Sequence, residues 1–171
     1  MGQEVTLEQL LQSRDERAMR QKDWIMAHPS LTLVCLTVIL PGPVKRDSRS
    51  LRVAAAGVEA IRSSLSPVKE ECFDLLTGFE GYFLVDGTSA GVKEACCRIE
   101  DSHPLGRLMD IDVLRLGEYG VVPVSRSEAG LPPRRCLICD LPARECMRAR
   151  KHSREELLQK IDEILYSADN L

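Results

Sequence analysis

The sequence predicts an α+β fold: a ferredoxin-like βαββαβ core, preceded by an added N-terminal helix and followed by a Cys/His-containing C-terminal extension that ends in a helix. Three observations predict it. Segments with helical and strand-like apolar spacing follow one another in the order β-α-β-β-α-β after the first helix. Glycine and proline turn signals separate them. Beyond residue 117 the periodicity lapses, and cysteines crowd into the gap before a final amphipathic stretch.

The first helix spans roughly Leu7 to Ala27, with Thr6 and Gln9 as a capping box and Pro29 as its stop. Leu7, Leu10, Leu11, Ala18 and Ile25 form its expected apolar stripe. Arg14 interrupts that stripe, with Arg17 and Gln21 beside it. Either its stem covers the edge of the core, or its guanidinium points inward at a bound anion.

Leu31 to Leu40 is rich in β-branched residues and reads as a buried strand, ended by Pro41-Gly-Pro-Val-Lys-Arg46. Asp47 or Ser48 caps a second helix with Leu51, Ala54, Ala55, Val58, Ile61 and Leu65 on its apolar side. Two strands are expected at about 71–77 and 82–85, separated by Gly78 and Gly81. Val92, Ala95, Cys96 and Ile99 mark a third helix, and 108–116 alternates as a strand. After Glu118 no regular element is expected until Ser153-Arg-Glu-Glu156, a capping box before a last helix carrying Leu157, Leu158, Ile161, Ile164 and Leu165.

The chain has 171 residues, 44% of them hydrophobic and 29% charged, with net charge −3. One catalytic domain, residues 1–171, is therefore expected, divided into a core over 1–117 and an extension over 118–171. The charge balance and the seven aromatic residues disfavour a nucleic-acid binder. Charges begin at the fourth residue and the most apolar run has ten residues, so neither a signal peptide nor a membrane span is expected. The expected location is the cytoplasm, where seven cysteines are thiols or metal ligands rather than disulfides.

Three features look chemical. In the strand around Met109-Asp-Ile-Asp112, Asp110 and Asp112 point to one face and Ile111 and Val113 to the other. Two carboxylates about 7 Å apart along a strand repel each other unless a cation sits between them. Mg²⁺, held by one or two carboxylates and a substrate's phosphates, supplies that charge. The competing reading is a solvated edge strand with Arg107 as ion-pair partner. Lys45 and Arg107 follow tight glycine turns at Gly42 and Gly106, an arrangement suited to holding a polyphosphate. His103 is a candidate acid or base, although a histidine before proline is commonly structural. Cys136-x2-Cys139, with Cys146 and His152, has the composition of a closed Zn²⁺ site. Plain thiols or CxxC redox chemistry are the alternatives.

These pieces together resemble the holo-citrate lyase synthase family, the apo-citrate lyase phosphoribosyl-dephospho-CoA transferases. The matching segments are Ser13-Arg-Asp-Glu-Arg17 with Arg20-Gln21, Pro41-Gly-Pro-Val-Lys45, His103-Pro-Leu-Gly-Arg-Leu-Met-Asp-Ile-Asp-Val113, and Leu131-Pro-Pro-Arg-Arg-Cys-Leu-Ile-Cys139 with Cys146 and His152. The resemblance implies that a serine of the citrate lyase acyl carrier (γ) subunit attacks 2′-(5″-triphosphoribosyl)-3′-dephospho-CoA and releases pyrophosphate. It implies Asp110 and Asp112 for Mg²⁺, and Arg14, Arg17, Lys45 and Arg107 for the triphosphate. Nucleotidyltransferases in general carry a Gly-Ser pair about ten residues before the Asp-x-Asp; here that stretch reads Cys96-Cys-Arg-Ile99. Transfer to another carrier, such as that of malonate decarboxylase, and a non-enzymatic zinc-knuckle adaptor are the competing functions. Arg134, Arg135, Arg148, Arg150 and Lys151 offer a landing strip for an acidic carrier protein.

Overall fold

The computed structural model describes residues 2–170. Its elements run α1 (Leu7–Ala27), β1 (Thr32–Val38), α2 (Ser48–Leu65), β2 (Lys69–Leu75), β3 (Gly78–Val85), α3 (Ser89–Ser102), β4 (Met109–Gly117), β5 (Gly120–Pro123), α4 (Ala143–Ala149) and α5 (Arg154–Ala168). The strands form one sheet in the order β2-β3-β1-β4-β5, with every neighbouring pair antiparallel. The first four strands have the order compatible with the expected ferredoxin-like core, and β5 adds a hairpin to β4.

Alternation along the central strands divides the core in two. Val34 and Leu36 of β1, Phe83 and Val85 of β3, and Ile111 and Val113 of β4 face α2 and α3. Leu33 and Cys35, Tyr82 and Leu84, and Leu114 face the opposite way, towards Trp24 and Ile25 of α1. The sheet is therefore sandwiched, and α1 roofs the face that carries Asp110 and Asp112.

The helix boundaries follow from their caps. Thr6–Gln9, Asp47–Ser50 and Ser153–Glu156 all form reciprocal capping boxes, which satisfy backbone N–H groups that a helix N-terminus otherwise leaves unpaired. The strand expected from residue 71 starts at Lys69, and Gly81 lies inside β3 instead of between two strands. β5 and α4 are elements that the irregular stretch after Glu118 did not announce.

The stripe expected on α1 is largely overturned. Leu7 and Leu11 are exposed, whereas the buried residues of α1 are Ser13, Trp24 and Ile25. The middle of α1 turns arginines inward because a buried carboxylate lies beneath it: Arg17 Nε donates to Glu80 Oε1 at 2.8 Å, and Arg20 Nη1 donates to Glu80 Oε2 at 3.0 Å. Tyr82 Oη also donates to Glu80, at 2.6 Å, so this buried carboxylate is fully engaged. On α2 the buried side likewise shifts, taking in Val53 and Gly57 while Ala55 is exposed.

Ile161 and Leu165 bring α5 into the main core cluster. At roughly 1.5–3 kcal/mol for each fully buried aliphatic side chain, that burial suffices to dock a helix. The segment before it has no such anchor: between residues 125 and 152, Cys146 alone is buried. Among the described residues, no helix is long and apolar enough to cross a membrane.

Candidate active site and metal centre

Asp110 and Asp112 lie on β4 opposite Thr37 and Cys35 of β1, on the side that α1 covers. β5 pairs only with Leu114–Gly117, so the outer edge of β4 beside the two aspartates has no neighbouring strand. Charged side chains close it instead. Ile111 N–H donates to Glu100 Oε1 at 2.9 Å, Lys93 Nζ donates to Ile111 O at 3.2 Å, and Arg134 Nη2 donates to Met109 O at 2.8 Å. Lys93 and Glu100 are both buried on α3. Buried backbone polar groups must be paired; here side chains do what a sixth strand would have done. Neither Lys93 nor Glu100 stood out in the sequence, where both interrupt an otherwise apolar spacing.

The aspartates differ. Asp110 is half-buried and lies 3.6 Å from Arg134 Nη1. The partner expected for it, Arg107, is used elsewhere: its Nη2 donates to the carbonyls of Arg135 and Cys136 at 2.7 and 3.1 Å. Asp112 keeps an open side to solvent, yet protein crowds its carboxyl. That desolvation, followed by the charge of Asp110, pushes its pKa above the ordinary carboxylate value, and the charges of Lys93 and then Arg17 pull the other way. Cys35, across the pairing from Asp112, is an inert thiol, because burial pushes its pKa far up.

A cleft of about 630 Å³ opens on Asp110, within the size range of small-molecule sites. One side is the end of β1 with the Pro41-Gly42-Pro43 turn; the other is the cysteine segment and the start of α5. Six cationic side chains and a single carboxylate, that of Asp110, line it together with apolar groups such as Leu40, Met147 and Ile161. Gly42 has φ +92°, in the left-handed region that favours glycine, and the Arg154 side chain packs beside it. Lys45 Nζ donates to Leu40 O at 2.7 Å, and burial, then the charge of Arg14, lower its pKa. Arg14 itself is exposed, and no described side chain pairs with it.

Three expected roles change character. Gly106 does approach a backbone closely, but that backbone is α3: an added Cβ would meet the carbonyl oxygens of Ile99 at 2.3 Å and Glu100 at 2.7 Å. His103 lies at the C-cap of α3, where its Nδ1 accepts the Leu105 N–H at 3.0 Å, and burial lowers its pKa. It holds the turn into β4 and does not line the cleft. Arg134, expected on an exposed landing strip, is instead paired with buried Glu100 at 3.0 Å.

Cys136, Cys139, Cys146 and His152 converge, their ligand atoms all within 4.8 Å of one another. Cys139 Sγ is 3.4 Å from Cys146 Sγ and 3.4 Å from His152 Nε2. Tetrahedral bonding at about 2.3 Å would set two sulfurs about 3.8 Å apart, so these groups are nearly placed for one ion. Burial opposes ionisation of Cys136, but the backbone N–H groups of Cys139 and Ile138 point at its sulfur and bring its pKa down to about 7. A thiolate-favouring loop, three sulfurs and one imidazole make a donor set for a soft or borderline metal. Cys136, Cys146 and His152 also line the cleft, so the Cys/His cluster forms one of its walls.

Residues 5–168 match the family model described as apo-citrate lyase phosphoribosyl-dephospho-CoA transferase. A Streptococcus pyogenes protein named "Probable apo-citrate lyase phosphoribosyl-dephospho-CoA transferase" is 36% identical over 99% of this chain and 90% of its own length. Two proteins named apo-citrate lyase phosphoribosyl-dephospho-CoA transferase are also similar. That of Citrobacter koseri is 36% identical over 97% of this chain and 91% of its own length, and that of Shigella boydii is 38% identical over 96% and 91%.

Proposed function

We propose, from the premise that this chain belongs to the apo-citrate lyase phosphoribosyl-dephospho-CoA transferase family, that Asp110 and Asp112 are its catalytic carboxylates and that the cleft at Asp110 receives the donor substrate. The chain is a transferase that attaches the phosphoribosyl-dephospho-CoA group to the acyl carrier protein of apo-citrate lyase. In our reading the acceptor is a serine of the γ subunit and the donor is the triphosphoribosyl form. The serine oxygen bonds to the α-phosphorus, the bond from that phosphorus to the outgoing oxygen breaks, and pyrophosphate leaves. We assign the reaction to the cytoplasm and to one catalytic domain over 1–171.

Such phosphoryl chemistry depends on positioning and charge stabilisation more than on covalent help from the protein. Mg²⁺ suits Asp110 and Asp112, because a hard cation would offset the mutual repulsion that, after desolvation, raises the Asp112 pKa, and it would neutralise phosphate charge. Lys45, Arg14 and Arg17 supply positive charge on the cleft side and from α1. Arg107 acts indirectly, tying the cysteine segment to β4. Zn²⁺ suits the Cys₃His set, and four protein ligands give it a structural role.

The observation that carries this reading is the placement of Asp110, on one strand face with Asp112 and in a cleft whose other charged side chains are six cations. The test combines purified protein, Mg²⁺, triphosphoribosyl-dephospho-CoA and the apo-carrier of citrate lyase. Pyrophosphate release with a matching mass gain on the carrier is expected, and chelation of Mg²⁺ should stop both. Transfer only to the carrier of malonate decarboxylase would replace the acceptor. No transfer to either carrier would overturn the assignment of the site.

A further inference from the structure

Arg150 stands in a backbone conformation that arginine does not favour. It caps α4 with φ 47° and ψ 46°, in the left-handed region where helix C-caps usually place glycine or asparagine. Its N–H meets the carbonyls of Cys146 and Met147, so the cap geometry is fixed by the backbone and makes no use of the guanidinium. A side chain kept at such a position despite its backbone cost points to a use for that side chain.

The guanidinium's surroundings say what the use is. Arg150 lines the cleft between two metal-centre residues, Cys146 and His152. The other cations there have partners: Arg107 and Arg134 hold backbone carbonyls, Arg135 lies 3.6 Å from Asp140, Arg154 lies 3.6 Å from Glu155, and Lys45 holds Leu40 O. Arg150 has no hydrogen-bond or ion-pair partner for its side chain among the described residues.

We propose that Arg150 is a substrate-binding residue whose guanidinium takes a phosphate of the nucleotide end of the donor, the diphosphate of its dephospho-CoA moiety, against the wall formed by the metal centre. Guanidinium geometry matches phosphate oxygens two at a time, and the apolar lining from Leu40, Met147 and Ile161 gives the uncharged parts of that moiety a surface. This assigns a subsite within the site described above and rests on that reading.

Dephospho-CoA is the probe, measured by calorimetric titration of the metal-loaded protein. Arg150→Gly and Arg150→Asn both suit the left-handed cap while removing the charge, so a capping role alone predicts unchanged or improved melting and unchanged affinity. The proposal predicts at least tenfold weaker binding of dephospho-CoA in both variants, with metal content and Tm retained, and recovery of part of the affinity in Arg150→Lys. If glycine disturbs the metal centre, the asparagine variant decides by the same criterion. Wild-type affinity in the variants overturns it, as does a wild type that fails to bind dephospho-CoA. Loss of affinity for the carrier alone would also overturn it, giving Arg150 to protein docking. The pyrophosphate-release assay judges the wider function separately, because it reads transfer and not this contact.

Discussion

Glu100 accepts the backbone N–H of Ile111 at 2.9 Å, and this contact closes the edge of the strand that presents Asp110 and Asp112. The same carboxylate receives Arg134 at 3.0 Å and Arg126 at 2.7 Å. One buried group thereby joins α3, the site strand and two points on the irregular C-terminal stretch. The aspartates are held in register from a residue that touches neither of them.

Removing that group should therefore cost more than one hydrogen bond. Glu100→Ala takes the nearest buried carboxylate from Arg126 and Arg134, only 12% and 18% exposed, and leaves Asp101 to the first and Asp110 with two backbone carbonyls to the second. With those partners kept, urea unfolding should report a loss below the roughly 3–5 kcal/mol typical of a stranded buried charge, but above the ~1 kcal/mol of one hydrogen bond. Glu100→Gln preserves an oxygen for the Ile111 N–H and should lose less. Wild-type stability in the alanine variant would show that the edge is held without Glu100.

Asp110→Asn and Asp112→Asn should each lower turnover by at least about a hundredfold, the scale for a key electrostatic group. For Asp112 the sign of the stability effect also follows. Its folded pKa is raised, so the carboxyl favours folding below the ordinary carboxylate pKa, and that contribution is lost as pH rises through the folded value. Metal-free Asp112→Asn should accordingly melt above the wild type at neutral pH, with the gap closing in acid. Mg²⁺ should raise the wild-type Tm more than the variant's. Undiminished turnover in both variants at saturating Mg²⁺ would remove the carboxylates from the mechanism.

Arg14→Met keeps an unbranched stem and removes the charge. Since Arg14 is exposed and covers no core, the melting temperature should stay level. Its charge does reach Lys45, so KM for the donor should rise several-fold if both serve the phosphates. An unchanged KM would confine Arg14 to the protein surface.

The four-ligand centre should hold about one zinc per chain by elemental analysis of reduced protein. Cys139→Ser should lose it and open residues 132–151 to protease, because burial of Cys146 alone cannot order that stretch. Both aspartate variants should retain the metal. Affinity should fall in acid, where thiolates and imidazole are protonated. Metal-free protein with an intact, protease-resistant segment would leave these cysteines as plain thiols.

What the sequence by itself determined was local. Capping boxes at Thr6 and Ser153 set helix starts, because a cap and its partner lie three residues apart, and the choice left between Asp47 and Ser48 fell to Asp47 in the fold. Strand alternation placed Asp110 and Asp112 together on one face, and short spacings brought Cys136, Cys139, Cys146 and His152 into one set. Spacing likewise marked the buried sides of α3 and α5, at Val92, Cys96 and Ile99 and at Ile161 and Leu165. Only the tertiary structure decided the buried side of α1 and which charges are free. The α1 stripe misled because helical spacing records a periodicity, not what lies opposite; Glu80, some sixty residues away, is what turns Arg17 and Arg20 inward. In the same way, Arg107, Arg134 and Arg150 look alike along the chain. Their roles divide only when folding brings backbone carbonyls to the first, Glu100 to the second and the open cleft to the third, because the long-range partner, and not the residue type, determines how a charge is spent.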